Sequence, residues 1–268
     1  MYVDEDYNDY IQEKFERAIH KNKDKLSSCQ HELIPNTYIY LNSLNLFIGK
    51  QRAGKSGAII KEIIKICDNS PETHLLVYVN KSGKEDDVLF ESTKKLIPIP
   101  ILYVSHKESV NALRKIFEYK HAYKSIKLNR LEDEVPEQYI DQIDRNLYVK
   151  DFSLPFLHTL IFFEDTANSP LLKDKFILDV MGRCAHHSVT CFLASQFWKS
   201  IPSTLKENVS TIFFYGGATN REFYYLLSQV NIEEDHKELY NAYKRLDVTD
   251  KMIIDNYTRQ IIFTDRKH

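Results

Sequence analysis

Residues 49–56 read Gly49-Lys50-Gln51-Arg52-Ala53-Gly54-Lys55-Ser56, which fits G-x-x-x-x-G-K-[ST] at every fixed position. The glycines let the backbone turn tightly and approach an anion with no Cβ in the way. Successive N–H groups then form a nest for phosphate, and a following helix adds its positive N-terminal end. Lys55 supplies a point charge for the β- and γ-phosphates, and Ser56 a hydroxyl for Mg²⁺. At average composition such a match arises by accident in roughly one chain of this length in a hundred. The flanks argue against accident. The apolar run Leu44–Ile48 stands just before the loop, and Ile59, Ile60, Ile63, Ile64 and Cys67 follow at helical spacing. Strand, loop and helix in that order predict a site for a nucleoside triphosphate, with ATP and Mg²⁺ as its expected ligands, over Gly49–Ser56 and on to Gly57.

The rest of the chain repeats that rhythm. Further apolar runs occur at Leu75–Val79, Ile99–Val104, Leu160–Phe163, Val189–Ala194 and Thr211–Tyr215. Short runs rich in β-branched and aromatic residues fit strands buried on both faces. Helical patterns lie between them, such as Val110, Leu113, Ile116 and Phe117. Strands alternating with helices predict an α/β fold with a mainly parallel central sheet. Met252–Ile254, a turn at Asn256, and Gln260–Phe263 predict a terminal β-hairpin on the sheet edge. Residues 1–36 are polar and closed by Pro35; Phe15, Ala18 and Ile19 suggest one amphipathic helix, so the segment reads as a helical N-terminal extension. Residues 37–268 read as one ATPase-sized domain. Within it, residues 122–151 are charged and weakly periodic, as an insertion would be.

A phosphate loop needs a carboxylate nearby to hold Mg²⁺ through water and to orient the attacking water. Thr159–Phe163 is an apolar strand that ends in Glu164-Asp165. In a parallel sheet its C-terminal end shares an edge with the loop. By position, Glu164 is the metal partner and Asp165 the base; the more usual order puts Asp first, which leaves the two roles exchangeable. Two strand-like runs separate loop and carboxylates, as in RecA-like (ASCE) ATPases.

Downstream come Gly182-Arg183, the strand Val189–Ala194 ending in Ser195-Gln196, then Pro202, then Asn208 before the next strand. From Leu44 to Phe214 this series resembles the DNA-packaging ATPases of poxviruses, giant viruses and virophages, a branch of the FtsK–HerA superfamily. The resemblance implies a motor that pulls double-stranded DNA into a capsid as a homo-oligomeric ring, a pentamer or hexamer, in the virion or the host cytoplasm. It implies that Gln196 senses loss of the γ-phosphate and that Arg183 is an arginine finger reaching a neighbour's nucleotide. Two positions depart from the family pattern. The acidic pair is Glu-Asp, and Arg52 stands where small residues are common, either touching phosphate in cis or facing solvent.

Composition narrows the rivals. The formal net charge of −2 gives no global nucleic-acid-coat signature, so any DNA contact is local. Four cysteines with no C-x-x-C pair and no secretory signal point to a reducing compartment and a soluble, non-secreted protein. No apolar run approaches membrane-spanning length. Cys184, His186, His187 and Cys191 lack the tight pairing of a structural zinc site. Phe197 and Trp198 read as packing residues rather than as base-stacking ones. A capsid protein or a neighbouring subunit remains open as partner of the aromatic extension. A helicase-like ATPase on nucleic acid and a nucleotide-dependent assembly switch with little turnover are the alternative functions.

Overall fold

The apolar runs assemble into one eight-stranded sheet, because strands with no polar face must be covered on both sides. The computed structural model describes residues 32–70, 72–81, 91, 94–129, 157–164, 166, 169–230 and 232–264. The expected N-terminal helix, residues 130–151 of the expected insertion, and Asp165 lie outside these residues. The strands are β1 (Leu44–Ile48), β2 (Thr73–Asn80), β3 (Ile101–Ser105), β4 (His158–Phe163), β5 (Val189–Ser195), β6 (Val209–Tyr215), β7 (Lys251–Asp255) and β8 (Gln260–Thr264). Their order is β3-β2-β4-β5-β1-β6-β7-β8. All pairings from β3 to β6 are parallel, and β7 and β8 add antiparallel on one edge. The hairpin turn is closed by Asp255, whose Oδ1 accepts from the Tyr257 and Thr258 N–H groups at 2.9 and 3.2 Å.

Strand β3 begins two residues later than the run Ile99–Val104 suggests. Pro100 has no N–H to give to a ladder, and only its carbonyl joins β2, accepting from Leu76 N at 3.0 Å. In space, the strand between β1 and β4 is β5, which follows both in sequence; β2 and β3, which separate them in sequence, lie beyond β4.

Helices cover both faces: α1 (Lys55–Asn69), α2 (Ser109–Asn129), α3 (Lys175–Gly182), α4 (Cys184–His187), α5 (Ser203–Lys206), α6 (Asn220–Leu227) and α7 (His236–Tyr243). Helix α2 continues into the segment that begins at residue 122. Strand alternation sorts the side chains between two cores. On one face Ile59, Ile60, Ile63 and Ile66 of α1 pack with Phe47, Tyr78, Phe162, Phe192 and Phe213. On the other, Leu46, Val77, Ile161, Leu193 and Phe214 meet apolar residues of α2, α3, α6 and α7. Phe47 stacks on Phe213 with centroids 4.2 Å apart, fixing the middle of the sheet.

The strand starts carry a buried polar network. His158 is hydrogen-bonded to Thr73 Oγ1 at 2.8 Å through Nδ1 and to Thr190 Oγ1 at 2.9 Å through Nε2, which ties β2, β4 and β5 together. His74 donates through Nδ1 to the His158 carbonyl at 2.8 Å. Lys120 of α2 donates to Ser188 O at 2.7 Å and to Thr159 Oγ1 at 3.2 Å. Burial, reinforced by the Lys120 charge, lowers His74 to about 3 and His158 well below the usual histidine range.

Both rings are therefore neutral when folded, and the unfolded chain binds the extra protons below about pH 6.5. Stability from this source is fully present above pH 6.5 and is lost as the pH falls towards the folded values. Between pH 7.5 and 5 the His74 ring accounts for about 2 kcal/mol of lost stability, and the His158 ring acts in the same direction. Urea midpoints over that range should fall steeply, and His74→Gln should flatten the dependence. Equal midpoints at pH 7.5 and 5 would mean that the rings take up protons without unfolding.

Candidate functional site

Strands β1, β4 and β5 all end on one edge of the sheet, and their ends build the site. Gly49 leaves β1 with its N–H donated to Ser195 O at 3.1 Å, so the loop starts as an extension of the β1–β5 ladder. A Cβ on Gly49 would lie 2.6 Å from Tyr215 Cβ, so only glycine fits against β6 there. The loop closes through Ala53 N donating to Lys50 O at 3.3 Å, with Ala53 fully buried beneath it. Gly54 caps α1 in the left-handed conformation at φ 86°, and its carbonyl accepts from Ala58 N at 3.0 Å. The helix has no side-chain N-cap and no acidic residue in its first turn, which leaves its positive end to a ligand anion. Arg52 also takes a positive φ, 65°, and is exposed at the loop tip with Lys50, Gln51 and Gly54.

Lys55 folds back over the loop and donates to Gly49 O at 2.7 Å and Lys50 O at 2.8 Å. Ser56, next on α1, donates its hydroxyl to Glu164 Oε1 at 2.8 Å. Glu164 follows β4 directly, and its N–H donates to Val79 O at 2.9 Å, continuing the β2–β4 ladder. Its other carboxylate oxygen, Oε2, accepts from the Tyr78 hydroxyl. His106 Nε2 donates to the Glu164 carbonyl at 3.2 Å. A serine hydroxyl and a carboxylate oxygen at hydrogen-bond distance beside a phosphate nest are hard oxygen donors suited to Mg²⁺, which keeps part of its water shell and takes few protein ligands. The residues present thus fit that ion.

Gln196 stands exposed at the end of β5, between the ends of β1 and β4. It lines a small cavity with Gly49, Lys50, Trp198 and Glu222. Trp198 is buried, whereas Phe197 is exposed. Arg183 is elsewhere. It sits between α3 and α4, ahead of β5, and pairs with Asp179 at 3.2 Å while remaining 58% exposed. It lines a cavity of about 700 Å³ with Ser43, Leu44, Asn208 and Val209, at the strand starts and thus on the edge opposite the phosphate loop. The edge therefore gathers Lys55, Ser56, Glu164 and Gln196, and Arg183 is not among them.

Tyr78 and His106 did not stand out in the sequence. Tyr78 lies inside an apolar run that reads as plain core. The signal available was chemical: a phenol in a fully buried strand needs a partner for its hydroxyl. The Cys184, His187 and Cys191 side chains go elsewhere: Cys184 Sγ donates to Met181 O, His187 pairs with Asp179 at 3.0 Å, and Cys191 is buried in β5. Among the described residues, no group of three His, Cys, Asp or Glu side chains is placed to hold a metal ion, and no helix is long and apolar enough to cross a membrane.

No family model and no curated protein matches the chain. Solved structures do match its fold. The DNA-packaging ATPase B204 from Sulfolobus turreted icosahedral virus superposes with a TM-score of 0.52 at 10% identity, over 85% of this chain and 99% of that one. The genome-packaging NTPase B204 from Sulfolobus turreted icosahedral virus 2, in complex with ATP-gammaS, gives 0.51 at 11% identity, over 84% and 97%. The cytoplasmic domain of the Thermomonospora curvata type VII secretion ATPase EccC gives 0.52 at 15% identity, over 83% of this chain and 25% of that much longer one. The chain thus shares the fold of these ATPases.

The Gly49–Tyr215 contact gives a direct test of the loop. Gly49→Ala should weaken ATPγS binding by at least about tenfold, ~1.4 kcal/mol. The chain's one tryptophan, Trp198, lines the neighbouring cavity and gives a fluorescence readout. Gly182→Ala is the control, since its Cβ meets only the Asn208 amide at an ordinary 3.6 Å. Tight binding by Gly49→Ala would show that nucleotide does not need the loop in this position.

Proposed function

We propose that the chain is an ATP-hydrolysing motor that works as a ring of copies on double-stranded DNA and packages a viral genome into a capsid. The observation that carries the hydrolytic half is the meeting of Lys55, Ser56 and Glu164 on one sheet edge, with Ser56 Oγ 2.8 Å from Glu164 Oε1. In this reading the N–H groups of Gly49–Ser56 and the start of α1 bind the phosphates of ATP. Lys55 exchanges its two loop carbonyls for phosphate oxygens. Ser56 and Glu164 would hold Mg²⁺, Glu164 through water; the bound ion neutralises charge that builds up on the phosphates. Asp165 is the proposed base for the attacking water. Gln196, at the end of the strand between β1 and β4, is the proposed reporter of the γ-phosphate.

Arg183 is the proposed finger, and its place on the opposite edge supports action on a neighbouring copy's nucleotide rather than its own. The DNA-translocating half rests on the motif series from Gly182 to Asn208 and on the likeness in fold to a viral DNA-packaging ATPase across nearly all of that protein's length. The net charge of −2 leaves DNA contact to a few basic side chains facing a pore.

ATP hydrolysis measured with and without double-stranded DNA tests both halves. Wild type should turn over ATP faster with DNA, and Lys55→Ala should abolish turnover. Arg183→Ala should lower it by about 10³-fold or more while keeping ATP binding. Mixing the two inactive variants should restore part of the activity, since an intact loop on one copy then meets an intact arginine on another. Binding without turnover, with or without DNA, would favour an assembly switch; strand separation would favour a helicase.

A further inference from the structure

The Glu164 carboxylate is held from two directions at once. Its Oε1 accepts the Ser56 hydroxyl and its Oε2 accepts the Tyr78 hydroxyl. Tyr78 is fully buried in β2, one strand over from β4, with its backbone in register with Phe162. Its ring centroid is 5.2 Å from that of Phe162 and 5.8 Å from that of Tyr103, the latter edge-on. Those neighbours pack against the ring in a core as dense as a protein interior. The hydroxyl is therefore a fixed donor, set at the sheet edge by the core on the α1 side. The main chain of Glu164 is fixed as well, by its N–H on Val79 O and its carbonyl on His106.

With its main chain fixed and Oε2 anchored on the Tyr78 hydroxyl, the carboxylate turns Oε1 towards Ser56. We infer that Tyr78 is a positioning residue for the metal site: its hydroxyl anchors Glu164 Oε2 so that Oε1 faces Ser56, where Mg²⁺ is to be held. This rests on the proposed reading of Ser56 and Glu164 as the metal pair. It deepens that reading by giving Glu164 the metal-side role in the Glu164-Asp165 pair. Without the phenol, the glutamate would keep its backbone position and its Ser56 bond but lose the anchor on Oε2. Outer hydrogen-bond partners of metal ligands typically carry 10–100-fold in metal affinity or activity.

Tyr78→Phe tests the inference, because it keeps the ring and its packing and removes only the hydroxyl. The reading is the ratio of ATPγS dissociation constants in EDTA and in saturating MgCl₂, followed by Trp198 fluorescence on the full chain. Wild type should gain about tenfold or more in affinity from Mg²⁺, and Tyr78→Phe should lose most of that gain while binding metal-free ATPγS as wild type does. In turnover, kcat should fall about tenfold with KM for ATP within about twofold. An unchanged Mg²⁺ gain in Tyr78→Phe overturns the inference and leaves the metal pair standing. Equal loss of metal-free and metal-bound affinity, with a lowered thermal midpoint, also overturns it, since the hydroxyl then serves the fold. A wild type whose ATPγS affinity ignores Mg²⁺ removes the metal pair itself, and the inference with it.

Discussion

The site depends on how β1 is held. Every residue of Leu44–Ile48 is buried, with parallel partners on both sides, β5 and β6. A strand so placed cannot slide by one residue, because that would swap Leu46 and Phe47 between two differently filled cores. The end of the strand is therefore fixed, and with it the start of the loop. The Gly49 N–H bond to Ser195 O and the close approach of Tyr215 Cβ fix the next residue too. A flexible glycine-rich segment thereby becomes a nest of defined position before any anion arrives. The cost of shaping it is met by core packing, which lowers what a ligand must spend on ordering.

Parallel pairing does the rest of the positioning. Since β1, β4 and β5 run the same way and lie side by side, their ends deliver the loop, Glu164 and Gln196 to one edge, where the Ser56–Glu164 hydrogen bond joins loop and carboxylate. The antiparallel β7 and β8 lie beyond β6, away from that edge cluster, and extend the apolar cover through Met252, Ile253 and Ile254. At the other ends of the strands the sheet spends polar groups on structure instead. His158 bridges Thr73 and Thr190, and Lys120 binds the chain as it enters β5. One edge of the sheet is thus tied together internally by neutral histidines and a lysine. The other keeps the phosphate nest and the start of α1 open to a ligand.

Much of this was legible in the sequence, for a physical reason. Strands buried on both faces show as uninterrupted apolar runs, so Leu44–Ile48 was read at its full extent and the others within a few residues. The late start of β3 needed the missing N–H of Pro100 to be weighed against the apolar Ile99. The order of strands was less legible, because a run of isoleucine and phenylalanine does not say which neighbour it pairs with. That β5 separates β1 from β4 is a property of the crossovers alone. At the site, the loop stood out because a phosphate-binding loop requires glycine, lysine and serine at fixed spacing. Tyr78 did not, because a tyrosine within Leu75–Val79 is spaced like any core residue. Only the pairing of β2 with β4 brings its hydroxyl to Glu164. The role of Asp165 rests on sequence adjacency alone, since that residue lies outside those the structure describes.

The place of Arg183 limits what it can reach within one copy. Strands of five to seven residues at about 3.3 Å per residue separate the two edges of the sheet by roughly 16–23 Å. An arginine side chain anchored ahead of β5 cannot cross that span to a nucleotide held after β1, and helices cover both faces in between. The Asp179 pair is no obstacle to another role, since an exposed ion pair is worth little and is readily exchanged. Any action of Arg183 on a nucleotide is therefore action on another copy's nucleotide. A contact that joins the strand-start edge of one copy to the strand-end edge of the next uses two different surfaces. Repeated, such a head-to-tail contact closes into a ring or runs on as a filament. On the proposed reading the single chain carries both parts of a two-part site, but on opposite edges. In that reading the edge proposed for nucleotide lacks a finger of its own, and a complete site needs Arg183 from a second copy.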